Sequence, residues 1–400
     1  MEKNQEQLQD QEKGQAQYWD SHMYKDENDG YSLFLYGIRS PVTRDYYLRR
    51  LRIFFNHIKL LPDETMQKRC NFFAIQARQN PNWVFTSIIE FLQFQRGRVE
   101  RKEIVGATLK NFLKPIKLFC EMTDIPIPWK KITRGLPKVR RYADDRAPTI
   151  EEIKILCDYP DRRIRAIIYT MSSCGIRLGA WDYLQWKHIT PITKNGKIIA
   201  AKIIIYAGND DEYFSFITPE AYYELEKWIN FRKESGEVIK EDTWLMIQLW
   251  NTKSKYANNN KKIKSIGIKQ LLTRSLRIQG VRKKKRKESS TLYGTRYEFQ
   301  TNHGFRKWFK TRCELAGMKS INIEKLMGHS IGISDSYYRA TEAELLEDYL
   351  KAVDLLTIDE ESRLKLKLEQ KIQIEKSQIE SLKLDFEKFK YEVLKQRKRK

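Results

Sequence analysis

The stretch GKIIAAKIIIYAGNDDEYFSFIT, residues 196 to 218, limits the fold more than any other part of the chain. Its runs of Ile, Tyr and Phe suit strands better than a helix, and Gly208 to Asp211 reads as the turn of a hairpin. The other apolar segments repeat with a helical period. The predicted class is therefore mainly α with a small antiparallel β-sheet, an α+β arrangement.

Four hundred residues suggest two or three domains. Residues 1 to 30 are Gln-, Lys- and Glu-rich and read as a disordered polar tail. Ser40 followed by Pro41 marks a helix start, with a hydroxyl cap and proline at the first helical position. The segment VTRDYYLRRLRIFFNHIKL then places Tyr47, Leu48, Leu51, Phe54, Phe55 and Ile58 on one face. Arg44, Arg49, Arg50 and Arg52 fall on the other. Two further amphipathic helices, NWVFTSIIEFLQFQ and ATLKNFLKPIKLFCEM, complete a helical domain over 31–124. Residues 125–148 carry four prolines and a run of basic residues, among them Lys130, Lys131, Lys138, Arg140 and Arg141, and read as a basic linker. Thr149 and Glu152 form a capping-box pattern that opens a second domain, 149–355. Its hairpin is followed by the helix PEAYYELEKWINFRKE, and residues 251–298 are polar and basic, with RKKKRK at 282–287.

After Tyr338, TEAELLEDYLKAVDLLTI reads as one amphipathic helix. Residues 356–400 form a charged helical tail. Ile372, Ile379, Phe386 and Val393 fall seven apart, with Leu382 and Phe389 between them, but Lys365 and Glu375 interrupt the seam. A single solvated helix and a self-associating coiled coil both remain open.

Lys plus Arg is 75 and Asp plus Glu is 52, so the formal net charge is +23. An excess of that size speaks to partners, and nucleic acid comes before an acidic membrane surface. No apolar run reaches the ~18 residues needed to span a bilayer. The five cysteines are widely spaced with no CxxC pair, as in a reduced, cytoplasmic protein.

The chemistry concentrates in NHGFRKWFKTRCELAGMKSINIEKLMGHSIGISDSYYRAT, residues 302–341. No spacing there or elsewhere fits a zinc site, and HGFR is not HExxH. Neither GxxxxGK[ST] nor GxGxxG occurs, so no metal or cofactor is expected. Phosphoryl transfer without a metal needs a side-chain oxygen as nucleophile, guanidinium to clamp the phosphate oxygens, and imidazole to move protons. His303 and Arg306 lie three apart, on one helical face. Phe305, Trp308 and Phe309 would anchor that helix, and Gly317 and Gly328 would stop the turns that return His329 toward His303. Tyr337 and Tyr338 are the nucleophile candidates. A second cation comes from SSCGIRLGAWDYLQWKHI, where Gly175 precedes Arg177 and Leu178, Trp181 and Leu184 face inward.

These boxes, Gly175-Ile176-Arg177, His303-Gly304-Phe305-Arg306, Gly328-His329 and Tyr338, resemble the tyrosine recombinase (phage integrase) family in their order. SPVTRDYYLRRLRIFF resembles archaeal integrases in particular. The resemblance covers residues 31–355. It implies a core-binding domain and a catalytic domain that close as a C-shaped clamp on double-stranded DNA. It also implies a metal- and ATP-independent reaction through a 3′-phosphotyrosine, and a homo-oligomer, a tetramer, on DNA. Arg177 and Arg306 would hold the phosphate, His303 and His329 would handle protons, and Tyr338 would attack. Its distance from Gly328-His329 and the following Arg339 favour Tyr338 over Tyr337. The helix after Tyr338 resembles a segment that docks on a neighbouring protomer.

Two positions depart from the pattern. The family's acidic residue three after the first arginine is Ala180 here, with Asp182 on another face. The family's hairpin lysine is expected near a turn that reads Gly208-Asn209-Asp210-Asp211-Glu212, and Lys202 on the preceding strand is the candidate. Two other functions fit parts of the pattern: a type IB topoisomerase-like activity, and a DNA-binding protein with a decayed site.

Overall fold

The computed structural model describes residues 29–136, 146–249, 261–281, 284–285, 296–297, 300–332 and 334–397. Almost all of the polar N-terminal tail, part of the linker and most of the RKKKRK run lie outside the described residues. The structure is mainly helical with one three-stranded antiparallel sheet, and it divides into two compact units.

The first unit is helical throughout: α1 (Gly30–Tyr36), α2 (Pro41–His57), α3 (Met66–Gln79), α4 (Pro81–Glu100), α5 (Gly106–Met122) and α6 (Trp129–Arg134). Helix α2 starts as its sequence dictates, with Ser40 Oγ accepting from Thr43 N and Pro41 in the first turn. Its apolar face joins an aromatic core in which Phe54 meets Phe73 and Phe91 edge-on at 5.8 and 5.3 Å. Of the arginines opposite, Arg50 lies over the Phe112 ring at 4.4 Å, and Arg49 is exposed and paired with Asp45. Residues 125–136, expected in the linker, instead fold onto this unit. Ile125 and Ile132 are buried in its core, and those two apolar side chains outweigh the local prolines.

The second unit surrounds the buried helix α8 (Arg162–Cys174). Helix α7 (Ile150–Cys157) precedes it, with the Thr149–Glu152 capping box formed in both directions. The sheet has order β1-β2-β3, with β1 (Ile189–Lys194), β2 (Lys197–Ile205) and β3 (Tyr213–Ile217). The β2–β3 pairing sets Ile203 opposite Ser215 and Lys202 opposite Phe216. Ala201, Ile203 and Ile205 are buried on one face of β2, as period-two alternation requires. Then follow α9 (Pro219–Glu234), α10 (Ser265–Ile278), α11 (Thr301–Leu315) and α12 (Ser320–Leu326). Among the described residues of the basic segment, β4 (Lys284–Lys285) pairs with β5 (Arg296–Tyr297).

The last part of the unit holds α13 (Ser334–Tyr337), α14 (Glu342–Leu350), α15 (Val353–Leu356) and α16 (Glu360–Arg397). The amphipathic segment after Tyr338 is therefore two short helices, and it is seated in its own core. Leu345, Tyr349, Val353, Leu356 and Ile358 are buried there, and Tyr349 donates to the Ser173 carbonyl at 2.9 Å. Its apolar face is occupied within this chain. By contrast, α16 leaves Leu368, Ile372, Ile379, Leu382 and Phe386 exposed.

Candidate active site

Arg177 sits between two elements rather than on a helix. Helix α8 ends at Gly175, whose φ of 58° is left-handed and whose hypothetical Cβ would lie 2.7 Å from Phe309. Ile176 is buried, and Arg177 then enters a 3₁₀ turn over Leu178–Asp182, anchored by Trp181 and Leu184. Its guanidinium donates from Nη2 to the Gly328 carbonyl at 2.7 Å.

Helix α11 buries Phe305, Trp308 and Phe309, as the spacing predicts, and this fixes Arg306. Arg306 donates from Nη1 to the Gly175 carbonyl and from Nη2 to the Met327 carbonyl at 3.3 Å. The same Nη2 lies 2.5 Å from His329 Nε2. The two guanidinium groups therefore tie the turn at 175–177 to the turn at 327–329. Gly328 has φ 64°, and a Cβ there would overlap the Tyr213 ring, so the turn carrying His329 needs glycine.

Neither Arg177 nor Arg306 has a carboxylate ion-pair partner among the described residues. Burial, and then the like charge of Arg177, pull the Arg306 pKa below the ordinary guanidinium value. Guanidinium groups are charged in proteins, and two of them close together with no ion-paired carboxylate favour an anion between them, although Asp210, Asp211 and Glu212 line the same cleft as Arg177.

Two clefts open around this pair. One, of about 700 Å³, is lined by Arg177 and His329 together with Tyr206, Tyr213, Lys325 and the turn residues Asp210 to Glu212. The other, of about 690 Å³, is lined by Arg177, His303, Arg306, His329, Lys269 and Thr273. The structure thus gathers four of the expected residues, Arg177, His303, Arg306 and His329. Burial pushes the Tyr213 hydroxyl up to about 12, so it stays protonated beside the arginines.

Tyr338 and Lys202 are not gathered there. The Tyr338 hydroxyl donates to Asn322 Oδ1 at 2.7 Å, and Asn322 in turn donates to Asp348 at 2.8 Å. Lys325 holds the same residue from its other side, donating to the Tyr338 carbonyl at 2.5 Å. Tyr338 lines a third cleft of about 480 Å³ with Asn322, Asp348 and Lys351. Tyr337 is 83% exposed. Lys202 is ion-paired with Glu342 at 2.5 Å and lies over the Phe214 ring at 4.9 Å. It lines neither arginine cleft, whereas Lys269 and Lys325 each line one.

The acidic position that departs from the pattern lies in the core of the unit. Ala180 is fully buried. Asp182 is committed elsewhere: it caps α10, accepting from Ser265 N at 2.7 Å and from Ser265 Oγ at 2.8 Å. A carboxylate in direct contact with His329 is Glu324, which sequence reasoning missed. It contacts His329 Nδ1 through Oε2 and Lys310 Nζ through Oε1. Desolvation works against its charge, but the bonds to Lys310 and His329 prevail and hold its pKa below the usual carboxylate value. Its position five before His329 was the only available signal, and it becomes informative once the turn at Gly328 brings the two together.

No family model matches this chain, and no curated protein matches it. Among solved structures it is similar to the XerA recombinase, with 17% identity and TM-score 0.34, covering 81% of this chain and 98% of that one. It is also similar to the Tn1549 transposon integrase in complex with circular intermediate DNA, with 16% identity and TM-score 0.41 over 66% of this chain and 84% of that one. A lambda integrase dimer bound to a core site gives 13% identity and TM-score 0.41 over 74% and 95%. These likenesses are too distant to assign residues, and the functional reading rests on the side chains described above.

Proposed function

We propose that this chain is a site-specific DNA recombinase or integrase that cleaves and rejoins DNA through a phosphotyrosine. The observation that carries the reading is the pair of guanidinium groups, Arg177 and Arg306, without an ion-paired carboxylate among the described residues, meeting at one turn with His329 and sharing a cleft with His303. A phosphodiester between these groups would have its non-bridging oxygens held by donors already in place, which favours the more highly charged transition state. Tyr338 would attack phosphorus, forming the Tyr–O–P bond as the bond to the 5′-oxygen breaks. The tyrosine proton leaves to a base of the site, and the departing 5′-oxygen takes up a proton. A 5′-hydroxyl of the same or another duplex then reverses the step, so no nucleotide is consumed.

In the present conformation Tyr338 is held by Asn322, so attack requires that hydrogen bond to break and the Tyr338 hydroxyl to move to the arginines. The net charge of +23 suits a double-stranded DNA partner. Assembly of several copies on DNA belongs to the same proposal, with the exposed apolar side chains of α16 as the contact. Removal of residues 360–400 should leave cleavage intact and weaken assembly on DNA; unchanged assembly would reject that contact.

The test is covalent trapping. Nicked duplexes selected for binding are incubated with the protein in the presence of a chelator and resolved under denaturing conditions. Wild type and Tyr337→Phe should form a protein–DNA adduct, and Tyr338→Phe should not. Absence of any adduct on DNA that the protein binds would favour a binding protein with an inactive site. Nicking and resealing without joints between two duplexes would favour topoisomerase-like relaxation.

A further inference from the structure

We infer that Glu324 is the positioning residue that, with Arg306, fixes the tautomer and orientation of His329. The inference rests on the reading above that His329 faces a phosphate, but its evidence is independent of any DNA chemistry.

His329 has a neighbour at each ring nitrogen. Nε2 lies 2.5 Å from Arg306 Nη2. A guanidinium nitrogen has only donors to offer, so Nε2 must present its lone pair. The imidazole proton is then on Nδ1, where the Glu324 Oε2 carboxylate oxygen accepts it. The opposite tautomer would set N–H against N–H at Arg306 and leave a lone pair facing a carboxylate, two repulsions at once.

Glu324 is itself held on three sides. Its other oxygen accepts from Lys310 Nζ, on α11. Its carbonyl accepts from the His329 backbone N at 3.0 Å, which registers the two residues through the turn at Gly328. Its carboxylate is also charged at neutral pH, as its lowered pKa requires. The result is a line of contacts, Lys310–Glu324–His329–Arg306, spanning α11, α12 and the turn after it. A phosphate that drew Arg306 to its own oxygens would free His329 Nε2. The ring would already be oriented, with Nε2 turned toward the phosphate.

A purely structural role for Glu324, as a tie from Lys310 to α12, predicts something different. The experiment is ¹⁵N NMR of the full chain labelled at histidine, at about pH 8, above the usual imidazole range. The His329 signals are assigned by difference from His329→Gln. Wild type should show protonated Nδ1 and bare Nε2. Glu324→Ala should raise the share of the Nε2–H form, since Arg306 alone then opposes it, while Lys310→Ala should leave His329 as Nδ1–H and Glu324→Gln, which keeps an acceptor, should keep Nδ1–H. In the trapping assay Glu324→Ala should slow adduct formation about 10- to 100-fold, with Glu324→Gln recovering part of it.

An Nε2–H wild-type spectrum, or an unchanged tautomer in Glu324→Ala, would overturn the inference. So would Glu324→Ala cleaving at the wild-type rate. The wild-type spectrum decides even if Glu324→Ala does not fold. A wild type with the expected tautomer but no adduct would reject the recombinase reading while the positioning of His329 by Glu324 stood.

Discussion

The cationic half of the site and its tyrosine half are built on opposite plans. Arg177, Arg306 and His329 are held by backbone carbonyls at 175, 327 and 328, by two left-handed glycines and by a carboxylate behind the imidazole. Tyr338 lies on a short connecting segment, and its hydroxyl bonds to Asn322 in a different cleft. The contrast teaches a division of labour. On the proposed reading, the groups that would stabilise charge are preorganised, so little reorganisation would be needed at the moment of reaction. Tyr338, the proposed nucleophile, is kept bonded elsewhere, so cleavage would wait on a conformational step.

The largest effect should come from breaking the cationic half. Arg306→Ala should reduce adduct formation by about 10²- to 10³-fold, the usual cost of losing a donor aimed at developing charge. Because Arg306 also bonds carbonyls of two turns, thermal melting should be measured alongside; activity near wild type would show that the guanidinium is only structural.

A comparison of lysines sharpens the contrast next. Lys269 lines the cleft with Arg306 and both histidines, while Lys202 is paired with Glu342. Lys269→Ala should slow cleavage by about 10²-fold if it protonates the leaving oxygen. A substrate with sulfur at the 5′-bridging position, whose leaving group needs no proton, should restore it. Rescue of Lys202→Ala instead would return the role to the strand lysine.

Gly328→Ala should cost at least about 2 kcal/mol, from a left-handed conformation and overlap with Tyr213. Melting should show it, with His329 displaced; a neutral result would mean that the turn is looser than its contacts imply. The smallest change, and the one of opposite sign, is Asn322→Ala. Losing the bond to Tyr338 is worth about 1 kcal/mol, so single-turnover cleavage should rise by about fivefold. A fall would place Asn322 in the reacting state instead.

Much of this was legible in the sequence because it depends on local period and spacing. The His303–Arg306 face, the burial of Phe305, Trp308 and Phe309, the β2–β3 hairpin and the stops at Gly317 and Gly328 all follow from residues a few positions apart. Helix α10 escaped notice because Ile268, Leu272 and Leu276 are spread through a strongly basic segment. Helix α3 has its apolar residues diluted by Lys68, Arg69 and Arg78. Strand β1 contains Pro191 and shows little alternation of burial. The fate of Lys202 could not be read locally, since Glu342 lies 140 residues away. Nor could the positions of Tyr338 and Glu324, which are set by how the turns after α11 and α12 fold back on the core.

The most direct test of the central claim is peptide analysis of the trapped adduct. The protein is reacted with a nicked, selected duplex in chelator, digested with protease and nuclease, and the nucleotide-bearing peptide is sequenced by mass spectrometry. The account predicts a nucleotide 3′-phosphate on Tyr338, formed without metal and lost in Arg306→Ala. A nucleotide on Tyr337 or on any other side chain, or an adduct that requires a divalent cation, would contradict it.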